Sequence, residues 1–349
     1  MDSEGAPTKK PRQYGIDAFR LLSALPVIAA HGGRFHMSTH MVVGVLSKWS
    51  VPYFFLVLGY FLARQSGEKR TSRALERIFL MFLMASLLLL PLDLYQLGPY
   101  KTATYLAQHF LFNGSYYHLW YLDSLLIGLL VIRISDGLGD ARVLPVVAII
   151  ALVASIWIGS YSSPGAATIG RHLMATPFLW FGMLLSARTP SMRQSVALVL
   201  AGTAILCAEA WVQYIQLHRE IWHCPILFGT LPFAVGVFGI AVNLPYSRAL
   251  ETIGRLGGRY TGCMYVTHMY WIVLVAWAAQ TLGMDQLDTY RNWVVPLVFL
   301  LTLGALRVVD RFVPSAIDAL LGDKTAIRAL ARSIVALPKS ALQLARARA

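Results

Sequence analysis

Two side chains in the first apolar stretch, GIDAFRLLSALPVIAAHGG, have types and spacing that let them act together. Arg20 and His31 are eleven residues apart. On a helix that is about 20° past three full turns, so both lie on one stripe, about 16 Å apart along the axis. Asp17 falls on the same stripe at ion-pair spacing, three residues before Arg20. The small residues Ser23, Ala24 and Ala30 leave room for other groups to approach. A guanidinium that grips phosphate and an imidazole that moves a proton, at this separation, suit a long phosphate-headed donor such as coenzyme A. A snorkelling Arg and an interfacial His account for the same pair without any chemistry.

Other ionisable groups sit inside apolar sequence, where a charge costs at least about 2.5–3.5 kcal/mol. His118 and Trp120 open an apolar stretch, YYHLWYLDSLLIG, with Asp123 one turn further in. Glu209 lies in the middle of AILCAEAWVQYIQLH, and must pair, stay protonated or face a wet cavity. His268 in YTGCMYVTHMYW is a site candidate, or a packed histidine. His31, His36 and His40 invite a metal reading, but no Cys or carboxylate accompanies them, so no metal is expected. The three cysteines, Cys207, Cys224 and Cys263, have no CxxC or CxxH spacing and read as small core residues.

The elements that must position these groups are membrane helices. Of the 349 residues, 57% are hydrophobic and only 13% charged, with a mean hydropathy of +0.58; soluble domains carry about 25% charged residues. The composition excludes a soluble enzyme, a disordered chain and a disulfide scaffold. The fold expected is all-α, a polytopic membrane bundle of about ten transmembrane helices over 15–33, 47–64, 78–97, 118–134, 143–160, 172–187, 194–215, 224–242, 260–281 and 293–312. Residues 101–113 are too short to span and are expected to form an interfacial or re-entrant helix.

The net charge of +13 is distributed between the apolar stretches and in the tail, which excludes nucleic acid as a partner. Arg64, Lys69, Arg70, Arg73 and Arg77, Arg133 and Arg142, Arg188 and Arg193, and Arg248, Arg255 and Arg259 fall in alternate loops. The opposite loops hold chiefly Arg34, Lys48, Lys101, Arg171, Arg219 and Arg291. Both termini are therefore expected in the cytoplasm. The organisation expected is a cytoplasmic segment at 1–13, a membrane domain at 14–313 and a basic, amphipathic tail at 314–349 lying on the membrane surface. The first helix carries Asp17 and Arg20 and no small-residue cleavage site follows it, so it is expected to be retained.

Six segments in order resemble the membrane acyltransferase-3 family. They are IDAFRLLSALPVIAAH, WSVPYFFLVLGYFLAR, HLWYLDSLLIGLLV, RHLMATPFLWFGMLL, Glu209 with the following LHREIWHCPILFGTLPF, and Tyr265-Val266-Thr267-His268. The pattern is most similar to stand-alone enzymes such as the enterobacterial common antigen O-acetyltransferase and to the membrane domain of vancomycin-resistance serine racemases. Leu58 stands where the family usually has Ser, and Asp123 where Pro is common.

The resemblance implies acyl transfer, usually of acetyl from cytoplasmic acetyl-CoA to a hydroxyl of a cell-surface or exported glycan. Acetyl-CoA would be a co-substrate, with no bound cofactor, and the enzyme would sit in the cell (inner or plasma) membrane. Carried over to this chain, Arg20 with Asp17 would help bind the donor and His31 would be catalytic. Glu209, His118 and His268 would line the site; Trp120, Tyr121 and Asp123 of the His118 segment are further site-lining candidates, and the resemblance leaves Asp123 unexplained. A secondary transporter or glycan exporter is the alternative, and a non-catalytic membrane receptor the third reading.

Overall fold

A computed structural model of the chain describes residues 13–33, 35, 37–67, 69–163 and 166–333. His36 and the segments 1–12 and 334–349 lie outside the described residues. Among the described residues the protein is all-α. Its helices are α1 (Tyr14–Leu22), α2 (Ala24–Gly32), α3 (Met37–Leu46), α4 (Ser50–Ala63), α5 (Arg70–Leu97), α6 (Pro99–Asn113), α7 (Trp120–Leu138), α8 (Val143–Ile156), α9 (Ala167–Leu173), α10 (Ala175–Ala187), α11 (Met192–Ile215), α12 (Thr230–Asn243), α13 (Arg248–Thr281), α14 (Asp288–Phe312) and α15 (Pro314–Leu320).

Six stretches are long and apolar enough to cross a bilayer: Thr39–Ala63, Arg70–Leu97, Val143–Tyr161, Met192–Ile215, Arg248–Thr281 and Tyr290–Phe312. The remaining apolar segments are also helical, but each is interrupted, short or charged. The first breaks at Ser23, and the segment of α9 and α10 breaks at Met174. In both cases a proline follows: the rings of Pro26 and Pro177 cannot accommodate the carbonyls of Leu22 and Leu173, four residues earlier, or donate to them. Pro52 stands in the same relation to Lys48, in the turn between α3 and α4. The helix α12 has only 14 residues, and α7 carries Asp123, Arg133 and Asp136.

Large side chains fill the centre, with Tyr53, Phe55, Phe178 and Phe238 fully buried. The outer faces of α5, α8, α11 and α14 leave Leu87, Ile150, Leu200 and Leu300 exposed. Apolar inside and apolar outside is the pattern of a bundle solvated by lipid. Helices approach closely where a side chain is missing: a Cβ on Gly59 of α4 would lie 2.0 Å from the Leu179 carbonyl oxygen of α10, and one on Gly182 2.2 Å from that of Leu56.

The start of the tail packs back on the bundle. Ile317 and Ala319 are buried, Arg259 bonds both Asp310 and Asp318, and Lys324 pairs with Glu76 at 2.5 Å. A further helix runs over 324–333. The expected short helix is present as α6, with most of its surface exposed.

Candidate active site

Three histidines from distant parts of the chain meet at one end of the bundle. His31 lies in the last turn of α2, His118 in a 3-10 turn leading into α7, and His268 in the middle of α13. Their ring centroids are 5.9 Å (His31 to His118), 5.5 Å (His31 to His268) and 5.2 Å (His118 to His268) apart. The hydroxyl of Tyr117 is 3.4 Å from His31 Nδ1.

Two of the three rings have their tautomers set by the backbone. His118 Nε2 is 3.2 Å from the Tyr265 carbonyl, and His268 Nδ1 is 3.1 Å from that of Met264. A carbonyl only accepts, so each of these nitrogens carries the hydrogen and the other holds a lone pair. Those other atoms, His118 Nδ1 and His268 Nε2, are buried without a hydrogen-bond partner among the described residues. The hydroxyl of Tyr265 donates back to the His118 carbonyl, locking the turn to α13. His31 is the half-buried member, and it alone of the three reaches the large cavity.

That cavity, about 610 Å³, is walled by α2, the α3–α4 turn, Trp120, the α8–α9 region and the 218–225 segment. Lys48, Arg171 and Arg219 line it, and among the described residues no Asp or Glu does. The Arg171 guanidinium lies over the Trp120 ring, 5.4 Å from its centroid, within electrostatic reach of His31.

Other sequence candidates sit elsewhere. Arg20 pairs with Asp17 at 3.1 Å on α1, within electrostatic reach of Tyr53 and Tyr121. Beside His268 lies a void of about 10 Å³, bounded by Ala24, Phe54, Met264 and His268, enough for about one water. Tyr121 stacks on Phe55 at 4.9 Å, behind the cluster. Asp123, which the resemblance left unexplained, is 2.9 Å from His172 Nδ1, both buried. His40 contacts Glu220 at 3.4 Å instead of joining His31. Among the described residues no group of three His, Cys, Asp or Glu is arranged to hold a metal ion.

Glu209 does not line the cavity. Its carboxylate accepts from the N–H groups of Phe228 and Gly229, each at 2.9 Å, and from the Tyr161 hydroxyl at 2.8 Å. It thereby clamps the chain just before α12, beside a cavity wall. Glu209→Ala would strand two backbone donors, at about 1–3 kcal/mol for each buried group. We expect a lower melting temperature in detergent and activity lost in step with folding. Glu209→Gln keeps one acceptor oxygen, enough for Phe228 and Tyr161 but not for Gly229, so it should fall between wild type and Glu209→Ala in both. A Gln variant that melts normally yet is inactive would instead make Glu209 a direct participant.

Sequence reasoning missed Lys48, Arg171, Arg219, Tyr117 and His172 as neighbours of the site. A signal did exist for the three cations. All three fall in the loops that the charge asymmetry leaves poor in Lys and Arg, so each is an exception calling for a local reason.

A helical bundle with lipid-facing apolar surfaces, an imidazole cluster and a cationic cavity defines a multi-pass membrane protein with a site for group transfer or transport. The family model described as an acyltransferase domain, acyltransferase-3, matches residues 13–306, and the chain belongs to this membrane acyltransferase family. It is also similar to an amino-acid racemase of Enterococcus faecalis, 30% identical over 138 residues, covering 36% of this chain and 20% of the relative. A serine/alanine racemase of Enterococcus gallinarum is 30% identical over 134 residues, covering 35% and 19%. The match thus spans about a fifth of the length of these curated relatives. No solved structure matches the chain.

Proposed function

We propose that this acyltransferase moves an acyl group, most simply acetyl from cytoplasmic acetyl-CoA, to a hydroxyl of a cell-surface or exported glycan. The reading takes all ten apolar segments as spans of the cell membrane, with both termini in the cytoplasm. The observation that carries it is His31, a half-buried imidazole at the wall of a 610 Å³ cavity, backed by two histidines of fixed tautomer. In this mechanism the acceptor hydroxyl gives its proton to His31 while its oxygen attacks the thioester carbonyl. The C–S bond then breaks and coenzyme A leaves as the thiol, taking up a proton. An acetyl-His31 intermediate is the stepwise form of the same exchange.

Arg20 and Asp17 would receive the donor from the cytoplasmic side. On this reading the pantetheine arm would pass the one-water void beside His268, where Phe54 and Met264 would have to move aside. Arg20→Lys keeps the charge but loses the planar fork. Its expected signature is a KM for acetyl-CoA raised about tenfold with a smaller change in kcat; an unchanged KM would remove Arg20 from the donor path.

The test of the whole reading is glycan O-acetyl content, measured by NMR, in a strain lacking the protein and in its complement. Ester signals that vanish and return support it, and identical spectra refute it. A transporter is the second reading, since ionisable residues inside the membrane also build transport sites. Glycan uptake by proteoliposomes without acetyl-CoA would decide for transport.

A further inference from the structure

We infer that the acceptor is anionic: the hydroxylated substrate carries a carboxylate or phosphate that sits on Arg171, with Lys48 and Arg219 supplying the surrounding field. This deepens the acyltransfer reading above and rests on it.

The argument is one of charge accounting. Several cations elsewhere in the molecule have carboxylate partners, namely Arg20 with Asp17, Arg255 with Glu251, Arg259 with Asp310 and Asp318, and Lys324 with Glu76. Arg64, Arg77 and Arg133, which bond neutral oxygens, are exposed. The three cavity cations have none among the described residues. Lys48 Nζ donates to the carbonyls of Ile221 (2.6 Å) and Cys224 (2.5 Å). Arg219 donates to the carbonyls of Ser160 (3.0 Å) and Ser162. Arg171 donates only to the Thr168 hydroxyl, at 3.1 Å, and its Nε is buried with no partner. Neutral acceptors hold these groups in place without cancelling their charge. The nearby carboxylate Glu209 is committed to Phe228, Gly229 and Tyr161.

Glu209 offsets part of the Lys48 charge from within electrostatic reach. Arg171 and Arg219 have no carboxylate partner among the described residues, and the like charges around one cavity repel one another with fields that are strong where the surroundings are apolar. Such an arrangement is stabilised by an anion that enters the cavity and binds Arg171, whose planar fork and free Nε suit a two-point contact with a carboxylate or phosphate. Trp120, under the guanidinium, offers a face on which a sugar ring can stack. His31 and Arg171 line the same space, so an acid group on Arg171 would leave a hydroxyl of the same or the adjoining sugar near the imidazole. The phosphates of coenzyme A are the rival occupant of this seat, and the comparison with the pantetheine fragment below separates the two.

The test uses the full-length protein in nanodiscs and isothermal titration with three probes: a uronic-acid tetrasaccharide, the same tetrasaccharide with its carboxyl groups reduced to alcohols, and glucose 6-phosphate. The acidic tetrasaccharide, the sugar phosphate or both should bind, and the reduced tetrasaccharide should bind at least about tenfold more weakly than its parent. Which acid binds better separates carboxylate from phosphate. Arg171→Gln should abolish the preference for acid, and Arg171→Lys should restore part of it. Equal binding of the acidic and reduced tetrasaccharides, binding by neither acid, or a preference that survives in Arg171→Gln overturns the inference. So does displacement of the acid by coenzyme A but not by its phosphate-free pantetheine fragment, since donor phosphates would then hold the cavity. Thiol release from acetyl-CoA is followed in parallel. Acid binding through Arg171 with no acetyl transfer to either acid would refute the acyltransfer reading and leave the anion site standing.

Discussion

Alanine in place of His31 is expected to slow acyl transfer by about 10²–10⁴-fold, the range for loss of a positioned general base, with little change in melting temperature. Stability should hold because His31 is half-buried at the cavity wall, and its recorded polar contact is the 3.4 Å approach of the Tyr117 hydroxyl. The chemical loss should be large because His31 is the member of the cluster that reaches the cavity. His118 and His268 keep their lone pairs beneath it, each anchored to a carbonyl on the other side. Thiol release from acetyl-CoA by the purified protein, with and without acceptor, measures the effect. Release in a burst without acceptor, present in the wild type and lost in His31→Ala, would assign the acetyl-His route; release only with acceptor would assign direct transfer. Activity within a few-fold of wild type in His31→Ala would remove His31 as the base, and His268 Nε2 would become the group to test.

The helices were legible because lipid solvation leaves long apolar runs, and six of the ten runs are helices long and apolar enough to cross a bilayer. Their interruptions were visible too, in Pro26, Pro52 and Pro177, but a hydropathy window averages over one residue and hides the break. The stripe shared by Arg20 and His31 assumed one straight helix, whereas the structure has two, α1 and α2, joined at Ser23, which keeps helical φ and ψ. Pairing Asp17 with Arg20 required only local spacing and could be read directly. The histidine cluster could not be assembled from sequence alone, because its members are brought together only by the packing of α2, α7 and α13. Glu209 shows the same limit from the other side. An isolated acid in an apolar helix signals that it needs a partner, but its partners are backbone N–H groups 19 and 20 residues later, which no residue type announces. Lys48, Arg171 and Arg219 were visible as exceptions in cation-poor loops. What the sequence withheld was that they share one cavity.

A single methyl group added to Gly257 should be far more disruptive than its size suggests. In an ordinary helix interior, replacing Gly with Ala gains about 0.5–1 kcal/mol by restricting the unfolded chain and improving helix propensity. At Gly257 of α13 the new Cβ would stand 1.8 Å from the Asp17 carbonyl oxygen of α1. That neighbour is backbone, so the helices must separate, at about 1–3 kcal/mol for an overpacked contact, and Gly257→Val should be worse. Gly304 of α14 supplies the control, since nothing lies within 4 Å of a Cβ there; Gly304→Ala should be neutral or mildly stabilising. Thermal unfolding in nanodiscs should therefore come earlier for Gly257→Ala and stay level or come later for Gly304→Ala, two chemically identical changes. Activity should follow Gly257→Ala downward, because α1 carries Asp17 and Arg20 and α13 carries His268, and forcing these helices apart pulls both ends of the proposed site out of register. If Gly257→Ala instead raised the melting temperature as Gly304→Ala does, α1 and α13 would not be in backbone contact, and the placement of His268 beside His31 would lose its support.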